Sequence, residues 1–323
     1  MSSAVSVDTQ PQGGDTSGGG EKASFTRRVI VPLLIMLLGL ALLIYPVFAT
    51  QWNNWLQSRE AGSYQHTVTQ ARTLQPVELD DAIKAAQEYN MHYTDGPVLD
   101  PWLSRISKDN VQYQEYLTQL HDYDAMAQVA IPAIDSNLPV YHGTGEDVLQ
   151  KGVGHLFGSA LPVGGKGNHT VLTGHTGLTN ATLWDNLIKV REGDAIYVNT
   201  YGQMMKYQVH EIETVLPNKS DTLRAKPGED LLTLITCTPY GINTHRLLVH
   251  AHRVPMDPAE TAVFEKSGSL MQWWMWVVLV LFILALAAIA WWLYMQRRKE
   301  TDRAQTASST IGDLGVAPRW PTE

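Results

Sequence analysis

A single cysteine stands among 323 residues. One thiol excludes an intramolecular disulfide and any metal cage built from cysteine alone. Basic residues are also scarce: 24 Lys and Arg face 32 Asp and Glu, a formal charge of −8. That balance excludes a general nucleic-acid binder whose affinity rests on neutralising phosphates. Charged residues are missing altogether from two runs, 29–48 and 273–295. No repeat at a fixed period is present.

Those two runs hold the apolar residues. Each is about 20 residues long, enough for a helix to cross a hydrocarbon core of roughly 30 Å. Lys22, Arg27 and Arg28 precede the first, and Arg297, Arg298 and Lys299 follow the second. Trp273, Trp274, Trp276, Trp291, Trp292 and Tyr294 lie near the ends of the second run, where aromatic rings favour the membrane interface. Basic flanks stay cytoplasmic, so both termini are expected inside and 49–272 outside. That loop holds 16 Lys and Arg against 25 Asp and Glu, so the acidity belongs to the external part. For the first run the alternative is a cleaved signal segment, since Val47-Phe48-Ala49 resembles a small-residue cleavage site. Its length and the bulky Tyr45 and Phe48 weigh against that.

Six segments follow. Residues 1–28, with a Gly/Ser/Thr/Gln-rich start, are expected to form a disordered cytoplasmic tail. Spans at 29–48 and 273–295 bracket the external part, and 296–323 forms a second polar cytoplasmic tail. Within 49–124, "QPVELDDAIKAAQEYN" and "NVQYQEYLTQLHDY" read as helices, separated by a turn-prone stretch holding Asp95-Gly96-Pro97 and Asp100-Pro101. From 125 to 255 the texture becomes β. "AQVAIPAI", "LPVYHG", "TVLTGH", "AIYVNT", "MKYQVHEIETVL", "LLTLITC" and "HRLLVHAHRV" are short runs between Gly, Pro, Asn and Asp clusters. One short helix is expected at "ATLWDNLIKV". The pattern predicts an all-β barrel or sandwich.

Cys237 follows the apolar run "LLTLIT" and precedes the turn-like "TPYG", which places it at a strand end. A thiol acts as a nucleophile only as thiolate, in an electropositive and partly accessible setting. Arg246 opens the next β run, so strand, turn and returning strand bring both to one rim. On its own a lone cysteine is as readily a buried structural residue. His175 in "VLTGHTGL" also stands at a strand end, and an imidazole there could protonate a leaving amine. His250 and His252 share a face with Arg246 by period two. With His245 they could be read as a metal site, but no acidic ligand stands in register.

"TLITCTPYGINTHRLLVHAHR" resembles the TLxTC…R motif of sortases, specifically the class C, pilin-polymerising sortases. "IPAIDSNLPVYHGTGEDVLQKGVGHLFGSALPVGGKGNHTVLTGHTGL" and the earlier "DPW" resemble two further blocks of that class in the expected order. The resemblance spans roughly 100–253. It implies a closed β-barrel of about eight strands with short helices, an N-terminal helical and lid segment, and two transmembrane helices. It makes Cys237 the nucleophile, His175 the general acid/base and Arg246 the stabiliser of the oxyanion. Thr236 matches the Thr of the motif and would help shape the oxyanion site. Asp100 and Trp102 match the lid, with the Asp facing the arginine and the ring covering the thiol. Thr176 departs from the Arg that often follows the histidine, and "HAHR" replaces the common "RGHR".

The activity so implied is transpeptidation. The enzyme would cleave an LPxTG-like sorting signal of a pilin precursor through a thioester and join the acyl group to a lysine of another pilin. The partners are pilin precursors and the membrane, not nucleic acid, and no metal or organic cofactor is called for. The rivals are a housekeeping sortase acting on cell-wall peptide, a cysteine protease passing the acyl group to water, and a non-catalytic membrane-anchored pilus-assembly partner.

Overall fold

The computed structural model describes residues 18–93, 109–217, 219, 221–265 and 271–313. The lid residues Asp100 and Trp102 lie outside this set. The chain divides into two compact units, 46–272 and a second made of 1–45 with 273–323.

In the second unit, helix α5 (Trp273–Asp313) and the first part of helix α1 (Gly18–Leu74) carry the two apolar runs. Both are long and apolar enough to cross a membrane. Leu34, Ile35, Leu38 and Leu42 on one, and Ile283 and Leu284 on the other, are exposed. Such faces suit a hydrocarbon solvent, and a helix satisfies its own backbone there. Two expectations need correction. Residues 18–28, expected to be disordered, and 296–313, expected as a polar tail, are helical. Both segments continue an established helix, and adding a residue to a formed helix requires no new nucleus.

The larger unit is a closed eight-stranded barrel. Its strands are β1 (Ala127–Ile131), β2 (Ser136–His142), β3 (Val153–His155), β4 (Asn168–Thr173), β5 (Ala195–Thr200), β6 (Gln203–Val215), β7 (Asp230–Thr238) and β8 (His245–Val254). They follow the order β1-β2-β3-β4-β7-β8-β6-β5 around the barrel. The pairs β2/β3 and β4/β7 are parallel. Alternation sends Leu172, Leu232, Leu234, Leu247, Val249 and Ala251 into the main core. On the opposite face Val171, Ile235 and Leu248 form a smaller cluster with Leu156 and Leu223. A strand run apolar on both faces, such as "LLTLIT", is therefore covered on both.

Helix α2 (Pro76–Tyr93) adds Leu79, Ile83 and Ala86 to the main core. Its Asn90 amide accepts from Leu161 N at 2.8 Å and donates to Leu161 O at 3.1 Å, pinning the helix to the barrel. Helix α3 (Val111–Leu117) is capped by Asn110 and buries Tyr116. The Tyr116 hydroxyl lies 3.0 Å from His155 Nδ1 and accepts from Gly143 N at 2.9 Å. The later part of α1 grips the barrel loops. Asn54 donates to Thr182 Oγ1 at 2.9 Å and accepts from Thr182 N at 3.0 Å, and Asn53 donates to Asn180 O at 2.7 Å.

The helix expected at 181–190 does not form. Only a 3-10 turn, Leu187–Lys189, appears there. Trp184 is fully buried; its N–H donates to His175 O in the loop before it, and its carbonyl accepts both from Leu187 N in the turn and from the Thr176 hydroxyl. Strand β3 escaped the sequence pattern because three residues between glycines show no periodicity.

Candidate functional site

The site is built by register. Strands β4 and β7 pair in parallel at a constant offset of 62 residues, from Asn168↔Asp230 to Thr173↔Ile235. Two hydrogen bonds carry the pairing beyond the strand end. Gly174 N donates to Ile235 O at 3.0 Å, and Thr236 Oγ1 donates to Gly174 O at 2.8 Å. The same offset brings His175 alongside Cys237. On the other side of β7, Cys237 pairs with Arg246 on β8. An imidazole, a thiol and a guanidinium thus form one row across three neighbouring strands, on the face turned away from the barrel core.

The row is sheltered. Cys237 is 7% exposed, Arg246 6% and the His175 side chain 13%. One guanidinium nitrogen of Arg246 donates to Asn243 O at 3.2 Å and His245 O at 3.3 Å. Asn243 has a φ of +60°, which turns the β7–β8 loop back towards the arginine. Two carbonyls therefore aim one end of the fork.

The loop carrying His175 is cinched at several points. His175 O accepts from Trp184 N at 3.1 Å, and Thr176 Oγ1 donates to Trp184 O at 3.0 Å. Asp185 Oδ1 accepts from Gly177 N at 2.7 Å and from the Thr176 hydroxyl at 3.5 Å. Burial pushes the Asp185 carboxyl up to about 6, against the pull of these two donors. A Cβ on Gly174 would stand 2.6 Å from the Trp184 ring, and one on Gly177 3.3 Å from Gly241 N. Glycine at 174 lets the loop lie flat on the indole. Glu146, in helix α4 (Glu146–Leu149), places a carboxylate oxygen 3.3 Å from His175 Nε2. Gln150 donates to its other oxygen at 3.0 Å.

Of the residues singled out in the sequence, Cys237, His175, Arg246 and Thr236 come together. Thr236 commits its hydroxyl proton to Gly174 O, so it holds the histidine loop. The other histidines singled out do not join this row: His250 is buried with Thr233 and Glu213, His252 stands beside His210, and His245 meets Thr244. Glu146, Trp184 and Asp185 were not singled out. Asp185 sits in the segment expected to be helical, and Glu146 is 29 residues from the histidine it faces.

The rim of a closed barrel presents a thiol between an imidazole and a guanidinium, side-chain types that acyl transfer through a thioester can use. The "Sortase domain" family model matches residues 129–254. Sortase C-1 from Actinomyces oris is 51% identical, covering 55% of this chain and 99% of its own, with a TM-score of 0.54. Sortase C from Streptococcus pneumoniae, whose structure is described as informing pilin substrate specificity, is 42% identical over 60% and 95% of the two chains, with a TM-score of 0.54. A sortase A of Streptococcus agalactiae is 27% identical over 231 residues, 71% of this chain and 84% of its own. With half its residues in common over nearly the whole of a solved relative, and with the thiol at the end of a barrel strand, the chain belongs to the sortase family of cysteine transpeptidases.

Proposed function

We propose that this chain is a membrane-anchored, pilin-polymerising sortase in which Cys237, His175 and Arg246 carry the chemistry. The row of these three across β4, β7 and β8 is the observation that supports it. The Cys237 thiolate adds to the carbonyl carbon of an LPxTG-like sorting signal. Negative charge gathers on the carbonyl oxygen, and the Arg246 fork stabilises it. The C–N bond then breaks, and the departing amine takes a proton from the His175 imidazolium. A thioester remains on Cys237. A lysine amine of a second pilin gives a proton to His175 and attacks the thioester. The C–S bond breaks, an isopeptide bond forms and the thiolate is released. No proton or electron is consumed overall.

The class C assignment draws support from the resemblance to sortases C and from the two apolar helices. Basic flanks on both runs argue for cytoplasmic termini and an external catalytic unit. The same resemblance would make Asp100 and Trp102, which lie outside the described residues, the lid of that class. The resemblance to sortases A supports a second reading, attachment of surface proteins to cell-wall peptide.

The test is mass spectrometry of the full-length protein in detergent after incubation with an LPxTG-type peptide. An acyl adduct on Cys237, absent in Cys237→Ala and released onto an added pilin lysine, is the expected result. Transfer only to cell-wall peptide amines supports the second reading, and transfer only to water a protease. A silent Cys237→Ala substitution overturns the catalytic assignment.

A further inference from the structure

A second constellation occupies the same outer face, further along the strands. Thr233 stands four residues before Cys237 on β7 and pairs with His250 on β8. His250 in turn stands four residues past Arg246. The two sets are therefore about 13 Å apart on one face. Between them lies the pair Ile235 and Leu248, which with Val171, level with Thr233, forms the apolar cluster on which Leu223 packs. Leu223 belongs to the connection between β6 and β7, which so lies against this face.

Four links run across four neighbouring strands. Arg224 O, in the connection, lies 3.1 Å from His169 Nδ1 on β4. His169 Nε2 lies 2.6 Å from Thr233 Oγ1 on β7. Thr233 Oγ1 lies 2.7 Å from His250 Nδ1 on β8. His250 Nε2 lies 3.0 Å from Glu213 Oε1 on β6. The chain ends in an acceptor at each end, a carbonyl and a carboxylate. Each neutral imidazole and the hydroxyl supply one proton. Three protons cannot make four hydrogen bonds, so the full chain holds one extra.

Its location follows from the surroundings. Burial drives His169 down to about 4, so that ring is neutral and donates from Nδ1 to Arg224 O. Thr233 then donates to His169 Nε2 and accepts from His250 Nδ1, and His250 donates from both nitrogens. By this count the extra proton lies between His250, whose side chain is 8% exposed, and Glu213. The other charged or titratable groups nearby are His210 and Glu211 on β6, His252 on β8, and Lys226 in the connection.

Loss of the extra proton must break one link. A hydrogen bond to a carboxylate is stronger than one to a neutral carbonyl. Of the three links that do not involve the carboxylate, the one to Arg224 O is the longest, at 3.1 Å against 2.6 and 2.7 Å, so the protons shift along the chain until His250 keeps Glu213 and His169 gives up Arg224. We propose that His169, Thr233, His250 and Glu213 are positioning residues that latch the β6–β7 connection onto the active-site face while they share one extra proton, and release it when that proton leaves. Relevance to acyl transfer rests on the function proposed above. The latch itself does not.

The test is amide exchange of residues 222–229 in the full-length protein in detergent, corrected for intrinsic rates, between about pH 5.5 and about pH 8.5. The wild type should lose protection roughly fivefold as the imidazolium titrates, the factor expected for one ordinary hydrogen bond. Glu213→Gln can donate its amide proton to His250 Nε2, which completes the chain with neutral rings, so its protection should not vary with pH. Thr233→Val divides the chain into two halves that neutral rings satisfy, and should also be flat. A flat wild type, or variants that follow the wild-type slope, overturns the latch. Nitrogen shifts of His250 give a readout independent of any variant: a ring neutral at about pH 6 overturns it as well. Neither measurement uses catalysis, so the latch and the transpeptidase reading can fail separately.

Discussion

Asp185 accepts the backbone N–H of Gly177 at 2.7 Å and so closes the loop on which His175 stands. Burial raises its carboxyl to about 6. A folded value above the ordinary one means that this group favours folding most below the usual carboxylate range. The contribution fades as pH rises through about 6. Asp185→Asn has no charge to bury. The stability of the wild type relative to Asp185→Asn should fall by roughly 1–2 kcal/mol from about pH 4 to about pH 8, after allowance for the group's partial exposure. Thermal unfolding of both proteins across that range checks the sign, and an unchanging difference would remove the buried charge from the account.

Gly174→Ala tests the loop from the other side. The new methyl would stand 2.6 Å from the fully buried Trp184 ring, which has nowhere to go. Overpacking of this kind costs about 1–3 kcal/mol. The displacement falls next to His175, so thioester formation should drop by about tenfold or more. Acylation rates with the eight strands verified by circular dichroism decide it. A normal rate would mean that the loop adapts without moving the imidazole.

Arg246→Lys keeps the charge and loses the planar fork. The carbonyls of Asn243 and His245 hold one nitrogen of that fork, and an ammonium, with its donors all on one atom, cannot stay at those carbonyls and present a second, separate nitrogen to an oxyanion. Acylation should slow by about 10²–10³-fold, the usual effect of losing one oxyanion donor. A rate within threefold or so of the wild type would take the guanidinium out of the mechanism.

Glu146→Gln should matter much less. The carboxylate is 3.3 Å from His175 Nε2 but its side chain is 64% exposed. Pairs of that kind contribute at most about 1 kcal/mol, so acylation should fall by less than about fivefold. The difference should shrink further in about 1 M salt, where the screening length is near 3 Å. A larger or salt-insensitive effect would give Glu146 a direct part in proton transfer.

The sequence made the barrel legible where strands are long and bounded by turn residues. The runs around Cys237 and Arg246 were legible as β7 and β8 because they are short β-prone apolar runs and "TPYG" marks the turn between them. His175 was legible as a strand-end residue. Its loop was not, because "ATLWDNLIKV" has helical spacing and gives no sign that Trp184 and Asp185 bond backwards to His175 and Gly177. Those bonds close a loop through single backbone and carboxylate contacts, which leave no periodic trace in the sequence. Glu146 reaches His175 from helix α4, between β2 and β3, which is a non-local approach. The helical ends of α1 and α5 were read as tails from polarity alone, although a helix once begun passes easily into polar sequence.

The paired amide bonds between Asn54 and Thr182 bear on how a water-soluble form should be cut. A fragment starting a few residues before Asn53 retains the brace on 180–182 and, through Trp184, on the imidazole's support. One starting beyond Gln57 would keep every barrel strand yet leave that segment untethered. Weak turnover from such a shortened protein would then report where the knife fell, not how the native enzyme works.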